Sequence, residues 1–280
     1  GPAAFDIEQL AAAYGGDPEI WLPWVYPPGL MLAIWPLGLL GFHVAWMAFV
    51  AVSLIAMLGA VRLYDGAFRP SSLAFALSPA LLPALMLGQV GVLWAAGLLA
   101  ALALLRDGRT AAAGVMLGLL TFKPQLGVLA AVALLAAGQW RVIFVAATTC
   151  VLLHGTATLV FGASYWPAFF ETGARHAEEL RSSFAGSDKM VSAYSALTSI
   201  GLPERVALGL QWALAAVAAL AVWICWARPA LSFDVRAAVL FCAIPVATPY
   251  LWYPDTALLA PALLLLVRAG RITRHPASLF

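Results

Sequence analysis

The chain has 280 residues, 64% of them hydrophobic and 10% charged, with a formal net charge of +2. Soluble domains carry about 25% charged residues, so an ordinary water-soluble domain is excluded, and the charge gives no reason to expect a nucleic-acid partner. The apolar runs are long enough to cross hydrocarbon about 30 Å thick, and the ~10-residue alternation of a membrane β-barrel is missing. The expectation is an all-α, polytopic transmembrane protein forming a single transmembrane domain over 1–280.

Charge spacing divides the chain into elements. Residues 1–25 carry Asp6, Glu8, Asp17 and Glu19 and read as an outer-face segment. The stretch 27–61 is too long for one straight helix and too short for three; Pro36 and Gly41 predict a half-helix, a break, and a crossing from about 42 to 61. Two crossings there would move the loop from Arg62 to Arg69 to the other side. The runs 70–105, 110–140 and 237–267 are each too long for one crossing and too short for two comfortable ones. Polar residues punctuate each near its middle: Gly88-Gln89, then Lys123-Pro124-Gln125, then Thr248 through Asp255. Each predicts a helical hairpin with that motif at its tip. Runs 142–161 and 206–227 predict one full crossing apiece.

With hairpins returning to one side, one face collects Arg62, Arg69, Arg106, Arg109, Arg141, Arg228, Arg236, Arg268, Arg271 and Arg274 against Asp65, Asp107 and Asp234. The other collects the remaining acids. The positive-inside rule makes the arginine-rich face cytoplasmic and turns the three tips outward. Arginine outnumbers lysine thirteen to two, which leans toward a GC-rich bacterial genome and a bacterial inner membrane.

Hairpin arms of about 13–16 residues reach only roughly 20–24 Å, short of the hydrocarbon thickness. A lysine at membrane depth costs about 2.5–3.5 kcal/mol on insertion scales, and non-helical backbone there must be buried or line a wet cavity. Lys123 therefore either lines an outward-facing cavity or snorkels to the interface. Asp255 is the one carboxylate inside an apolar run; it is either functional or the cap of a helix starting at Thr256. Gln89 and Gln125 can give and accept hydrogen bonds to sugar hydroxyls. Tyr26, Tyr250, Trp252 and Tyr253 can stack on sugar faces or line a lipid groove. The outer segment 162–205 holds "FFETGARHAEELRSSF", an amphipathic pattern. It is followed by Lys189, which belongs either to a solvated loop or to a lid that brings a second cation to a phosphate. His43 and His154 lie singly in apolar runs and predict packing or local hydrogen bonds. The Gly114–Gly118 spacing predicts close helix contact. Cys150, Cys225 and Cys242 fit no metal or disulfide pattern.

In order, "WVYPPGLMLAIWPLGLL", "LMLGQVGVLWAAGLLAALALL", "GVMLGLLTFKPQLGVLAAVALLAAGQWR", "SDKMVSAYSALTSIG" and "ATPYLWYPDTALLAPALLLL" closely resemble glycosyltransferase family 87, integral-membrane enzymes of the GT-C superfamily. The likeness runs from about Gly1 to Gly270. It implies a mannosyltransferase-like enzyme that takes a hexose from a polyprenyl-phosphate donor, works on the outer face, inverts the anomeric centre and needs no metal or other cofactor. Its partners would be the lipid-linked donor, a glycolipid or glycan acceptor, and membrane lipid. The resemblance also implies a carboxylate base in an Asp-Phe-rich element after a first transmembrane helix. Here "GPAAFD" matches the stretch after that element, so a helix upstream of Gly1 is expected and Asp6 corresponds to a later acid. Two other readings remain: a transporter or flippase of lipid-linked sugar, built on broken helices, or a non-catalytic assembly subunit.

Overall fold

The computed structural model describes residues 5–6, 24–67, 69–182 and 189–272. The expected outer-face segment 1–25 lies largely outside them. All regular elements of the described residues are helical. A single antiparallel bridge, Met190 to Trp252, is the exception.

Three helices have the length and hydropathy of a full crossing: α2 (Phe42–Asp65), α8 (Trp140–Phe161) and α11 (Glu204–Trp226). They turn Ile55, Phe144, Leu159 and Val217 outward with more than 60% of each exposed, an apolar surface that water does not tolerate and lipid does. The protein is a membrane protein. Before α2 comes α1 (Pro28–Ile34), which tightens into a 3-10 turn at Trp35–Leu39 and stops at Gly41. The half-helix, break and crossing expected from Pro36 and Gly41 are what form.

The three broken runs fold back as expected. In the first, α3 (Pro70–Ala76), a 3-10 turn and α4 (Leu82–Met86) lead to Gly88-Gln89, from which α5 (Gly91–Arg106) returns. In the second, α6 (Thr110–Leu119) and the turn Leu120–Phe122 reach Lys123, and α7 (Pro124–Ala136) returns. In the third, α12 (Phe233–Ala247) meets the turn Tyr253–Leu258 and α13 (Leu259–Arg268). The segment expected to be amphipathic forms α9 (Tyr165–Ser182), and α10 (Ala193–Ser199) precedes α11.

Glycine sets the tightest helix contact. An added Cβ on Gly114 would stand 2.8 Å from the Val142 carbonyl oxygen, and one on Gly118 would stand 2.6 Å from that of Ala146. The order of these contacts makes α6 and α8 parallel, which requires the connecting α7 to run in the opposite direction. Likewise Trp46 reaches Leu85 near the first tip, while Arg106 reaches the Tyr64 carbonyl at the other end, so α2 and α5 are parallel and the α3–α4 arm returns. The core lies where α5, α12 and α13 meet, around Trp94, Leu98, Phe241, Ile244 and Leu265, all under 2% exposed. At 16 residues, α5 is roughly 24 Å long, shorter than the hydrocarbon is thick.

The bundle ends differ. The end away from the tips is held by polar contacts: the Tyr64 hydroxyl donates to Asp234 at 2.7 Å, Arg268 pairs with Asp65 and reaches Asp234 at 3.4 Å, and Arg106 lies 4.5 Å above the Tyr64 ring. The cysteines are free thiols, each half-buried.

Candidate active site

Each tip owes its shape to local chemistry. Helix α4 ends with Gly88 at φ +63°, a left-handed turn that a side chain would resist. This lets the Gln89 N–H close back on the Ala84 oxygen at 2.7 Å and the Gly88 N–H on Leu85 at 3.2 Å, a pattern that satisfies the last helical carbonyls. Lys123 precedes Pro124, whose ring bars the α conformation from the residue before it. The chain there takes φ −127°, ψ 73°, and the helix breaks. The Leu120 oxygen, which loses its usual helical donor because Pro124 has no N–H, accepts from the Lys123 N–H at 3.2 Å and from the Trp94 indole at 3.1 Å. Asp255 lies in the 3-10 turn after Pro254, its N–H donating to Trp252 O at 2.8 Å. That turn passes over Gly91 so closely that a Cβ there would stand 2.6 Å from the Pro254 oxygen.

The tips converge. The Lys123 ammonium donates to Asp255 Oδ1 at 2.6 Å, with the residues 6% and 5% exposed. Lys123 therefore points into the bundle and does not snorkel, and the Asp255 carboxylate is directed at Lys123 and not at the N–H groups of the turn that follows. The ammonium also lies 5.9 Å from the centre of the Tyr26 ring, and the Tyr26 hydroxyl donates to Gln89 Oε1 at 2.7 Å. These groups line a cavity of about 240 Å³, together with Gln125, Tyr250 and Trp252. Tyr26 and Gln89 also line a neighbouring, more apolar hollow of about 480 Å³ that runs along Leu30, Ile34, Phe42 and Trp46.

Helix α9 roofs the cavity. Tyr165, Thr172, Gly173 and His176 fall on its covered face, while Glu171, Arg175 and Glu178 fall on its exposed one. Its start is fastened by Tyr165, whose hydroxyl accepts from the Trp24 indole at 2.5 Å and donates to the Tyr26 oxygen at 3.1 Å. Burial pushes the Tyr165 hydroxyl up to about 12, so it keeps the proton it donates. From Lys189 the chain pairs with the third tip, with Val191 N–H donating to Leu251 O at 2.8 Å and Tyr253 N–H to Lys189 O at 3.0 Å.

Of the residues singled out in the sequence, Tyr26, Gln89, Lys123, Gln125, Tyr250, Trp252 and Asp255 line the cavity. Lys189 and Tyr253 do not. Lys189 is exposed and joined to Tyr253 through backbone only. His176 was missed: it lines the cavity with its ring 5.9 Å from that of Trp252. The helical phase of α9, with Tyr165, Phe169, Thr172 and His176 at spacings of four, three and four, was the available signal. Among the described residues no three His, Cys, Asp or Glu side chains come together as a metal site would require.

Among the described residues, an all-α bundle with three membrane-length apolar helices and a polar hollow assembled from helix breaks at one end defines the class as a polytopic membrane protein. The sequence profile of glycosyltransferase family 87 matches residues 24–249, and the chain belongs to that family. It is a glycosyltransferase, with a sugar donor and an acceptor as its substrates. No curated protein and no solved structure matches the chain.

Proposed function

We propose that the protein is an inverting hexosyltransferase that moves mannose from a polyprenyl-phosphate donor to a hydroxyl of a glycolipid or glycan acceptor on the outer face of the bacterial inner membrane. The observation that carries this reading is the convergence of Gln89, Lys123, Gln125 and Asp255, from three separate helix breaks, on one cavity. Lys123 meets the donor phosphate, with no metal ion or other cofactor. Tyr26, Gln89, Gln125, Tyr250 and Trp252 hold the sugar, with Lys189 and Tyr253 at the rim. The apolar hollow beside Tyr26 and Gln89 suits the hydrocarbon chain.

In one displacement the acceptor oxygen attacks the anomeric carbon, and the carbon–oxygen bond to phosphate breaks with its electron pair going to phosphate. The leaving phosphate needs no acid. Asp255 takes the acceptor proton. An ion-paired carboxylate is a weak base, and the donor relieves this: as negative charge grows on the leaving phosphate the Lys123 ammonium follows it, and the freed carboxylate accepts the proton. A preorganised cation aimed at developing charge is the kind of group whose removal costs about 10²–10³ in kcat.

Purified protein incubated with radiolabelled polyprenyl-phosphate-mannose and an acceptor panel should give labelled product, abolished by Lys123→Ala and Asp255→Asn. Movement of labelled lipid across vesicles without product would favour a transporter. Neither transfer nor movement would leave the assembly-subunit reading.

A further inference from the structure

Helix α1 begins without a cap. Its N-cap residue is Pro27, and no local side chain accepts from its first turn, although the first N–H groups of a helix have no partner within it. Gly29 N–H donates instead to Nδ1 of His154 in the middle of α8, at 3.2 Å. A backbone N–H can only donate, so Nδ1 holds the lone pair and the imidazole hydrogen is on Nε2. Nε2 lies 3.0 Å from Thr121 Oγ1, and the Thr121 hydroxyl donates onward to the Gly118 oxygen at 2.7 Å. Every hydrogen has one acceptor along this chain. The fit excludes a side chain at position 29, where a Cβ would stand 2.8 Å from His154 Cε1.

Gly29 lies three residues after Tyr26, and Thr121 two before Lys123. One ring therefore joins the two segments that carry the cavity's aromatic wall and its cation, and it does so from a helix that supplies no group to the cavity. The His154 ring also lies 5.9 Å from the ring of Trp166, whose indole donates to Thr158 Oγ1 at 2.8 Å, so the start of the α9 roof is seated beside the same point.

We infer that His154 is a positioning residue, a two-armed clip that sets Tyr26 and Lys123 at their working separation. The kinetic part of this inference rests on the transfer reaction proposed above. Asparagine places an acceptor where Nδ1 stands but does not reach Thr121; glutamine places a donor where Nε2 stands but leaves Gly29 without an acceptor. Hydrogen exchange over residues 24–31 and 119–126 reads the two arms without any need for activity. His154→Asn should exchange faster than wild type only in 119–126, His154→Gln only in 24–31, and His154→Ala in both; should His154→Ala not fold, the two substitutions of matching shape carry the test. In transfer assays His154→Asn should lower kcat about tenfold with the donor KM little changed, because it loosens the Lys123 arm, whereas His154→Gln should raise the donor KM about tenfold with kcat within twofold, because it loosens the Tyr26 arm that holds the sugar. Identical exchange in all variants overturns the clip. Split exchange with unchanged KM and kcat overturns the positioning role and leaves only a structural contact. Split exchange in a protein that transfers no sugar upholds the clip and sinks the proposed reaction.

Discussion

At the scale of single residues the site turns on Lys123 and Asp255. Each alone would be a charge in a medium that solvates it poorly, and the 2.6 Å contact makes them mutually dependent. Truncating one member of a buried pair strands the other, at about 3–5 kcal/mol. Lys123→Met should therefore lower stability in detergent by about that much, as should Asp255→Leu. The double substitution should recover most of the loss, since a well-packed apolar pair often matches a buried ion pair, yet it should transfer no sugar. Single variants that melt like the wild type would show that the pair does not support the fold. Both residues were conspicuous in the sequence because each breaks an otherwise uncharged run. Their contact was not, since a separation of 132 residues leaves no local trace. His154 was illegible as a positioning residue for a similar reason, whereas the helical phase of α9 marked the covered side on which His176 falls. A lone histidine in an apolar helix looks the same whether it packs, clips or faces a cavity, and only the tertiary arrangement separates these roles.

At the scale of elements the short arms carry the design, and glycine fixes how closely they approach. Gly91 has the Pro254 oxygen in the place a Cβ would occupy, at 2.6 Å, whereas Gly59 has nothing within 4 Å. Gly91→Ala should shift the turn bearing Asp255, cost about 1–3 kcal/mol as overpacking does, and lower kcat. Gly59→Ala should be neutral or stabilising by up to about 1 kcal/mol through helix propensity. Equal behaviour of the two variants in denaturation and turnover would contradict the close crossing. The hairpins were readable because proline, glycine and charge interrupt apolar runs whose length fits neither one crossing nor two. Which arms pack together was not readable: α6 and α8 lie side by side although α7 separates them in the chain, and small residues on α6 signal a close contact without naming its partner.

At the scale of the whole molecule the two ends of the bundle do different work. The end carrying Tyr64, Asp65, Arg106, Asp234 and Arg268 is cross-linked by polar contacts between α2, α5, α12 and α13, and the cavity lies at the other. A carrier would have to open both. With Cys150, Cys225 and Cys242 replaced by alanine and a cysteine placed at Gln125, a membrane-impermeant thiol reagent should label oriented vesicles from one side only. Protection by added lipid-phosphate sugar should follow. Labelling from both sides would return the carrier to the front.

The union of Lys123 with Asp255 also bears on how the chain is made. When the hairpin containing Lys123 leaves the ribosome, its partner lies 132 residues downstream. At about 5–20 residues per second the wait is roughly 7–26 s. For that interval the half-built protein carries a solitary ammonium on a hairpin too short to lift it to the surface. Biogenesis must tolerate this orphan by delayed insertion, by local thinning of the bilayer, or by an insertase that shelters it. Nascent chains arrested before residue 255 should therefore hold the 110–136 hairpin less deeply than finished ones, and Lys123→Met should erase the difference.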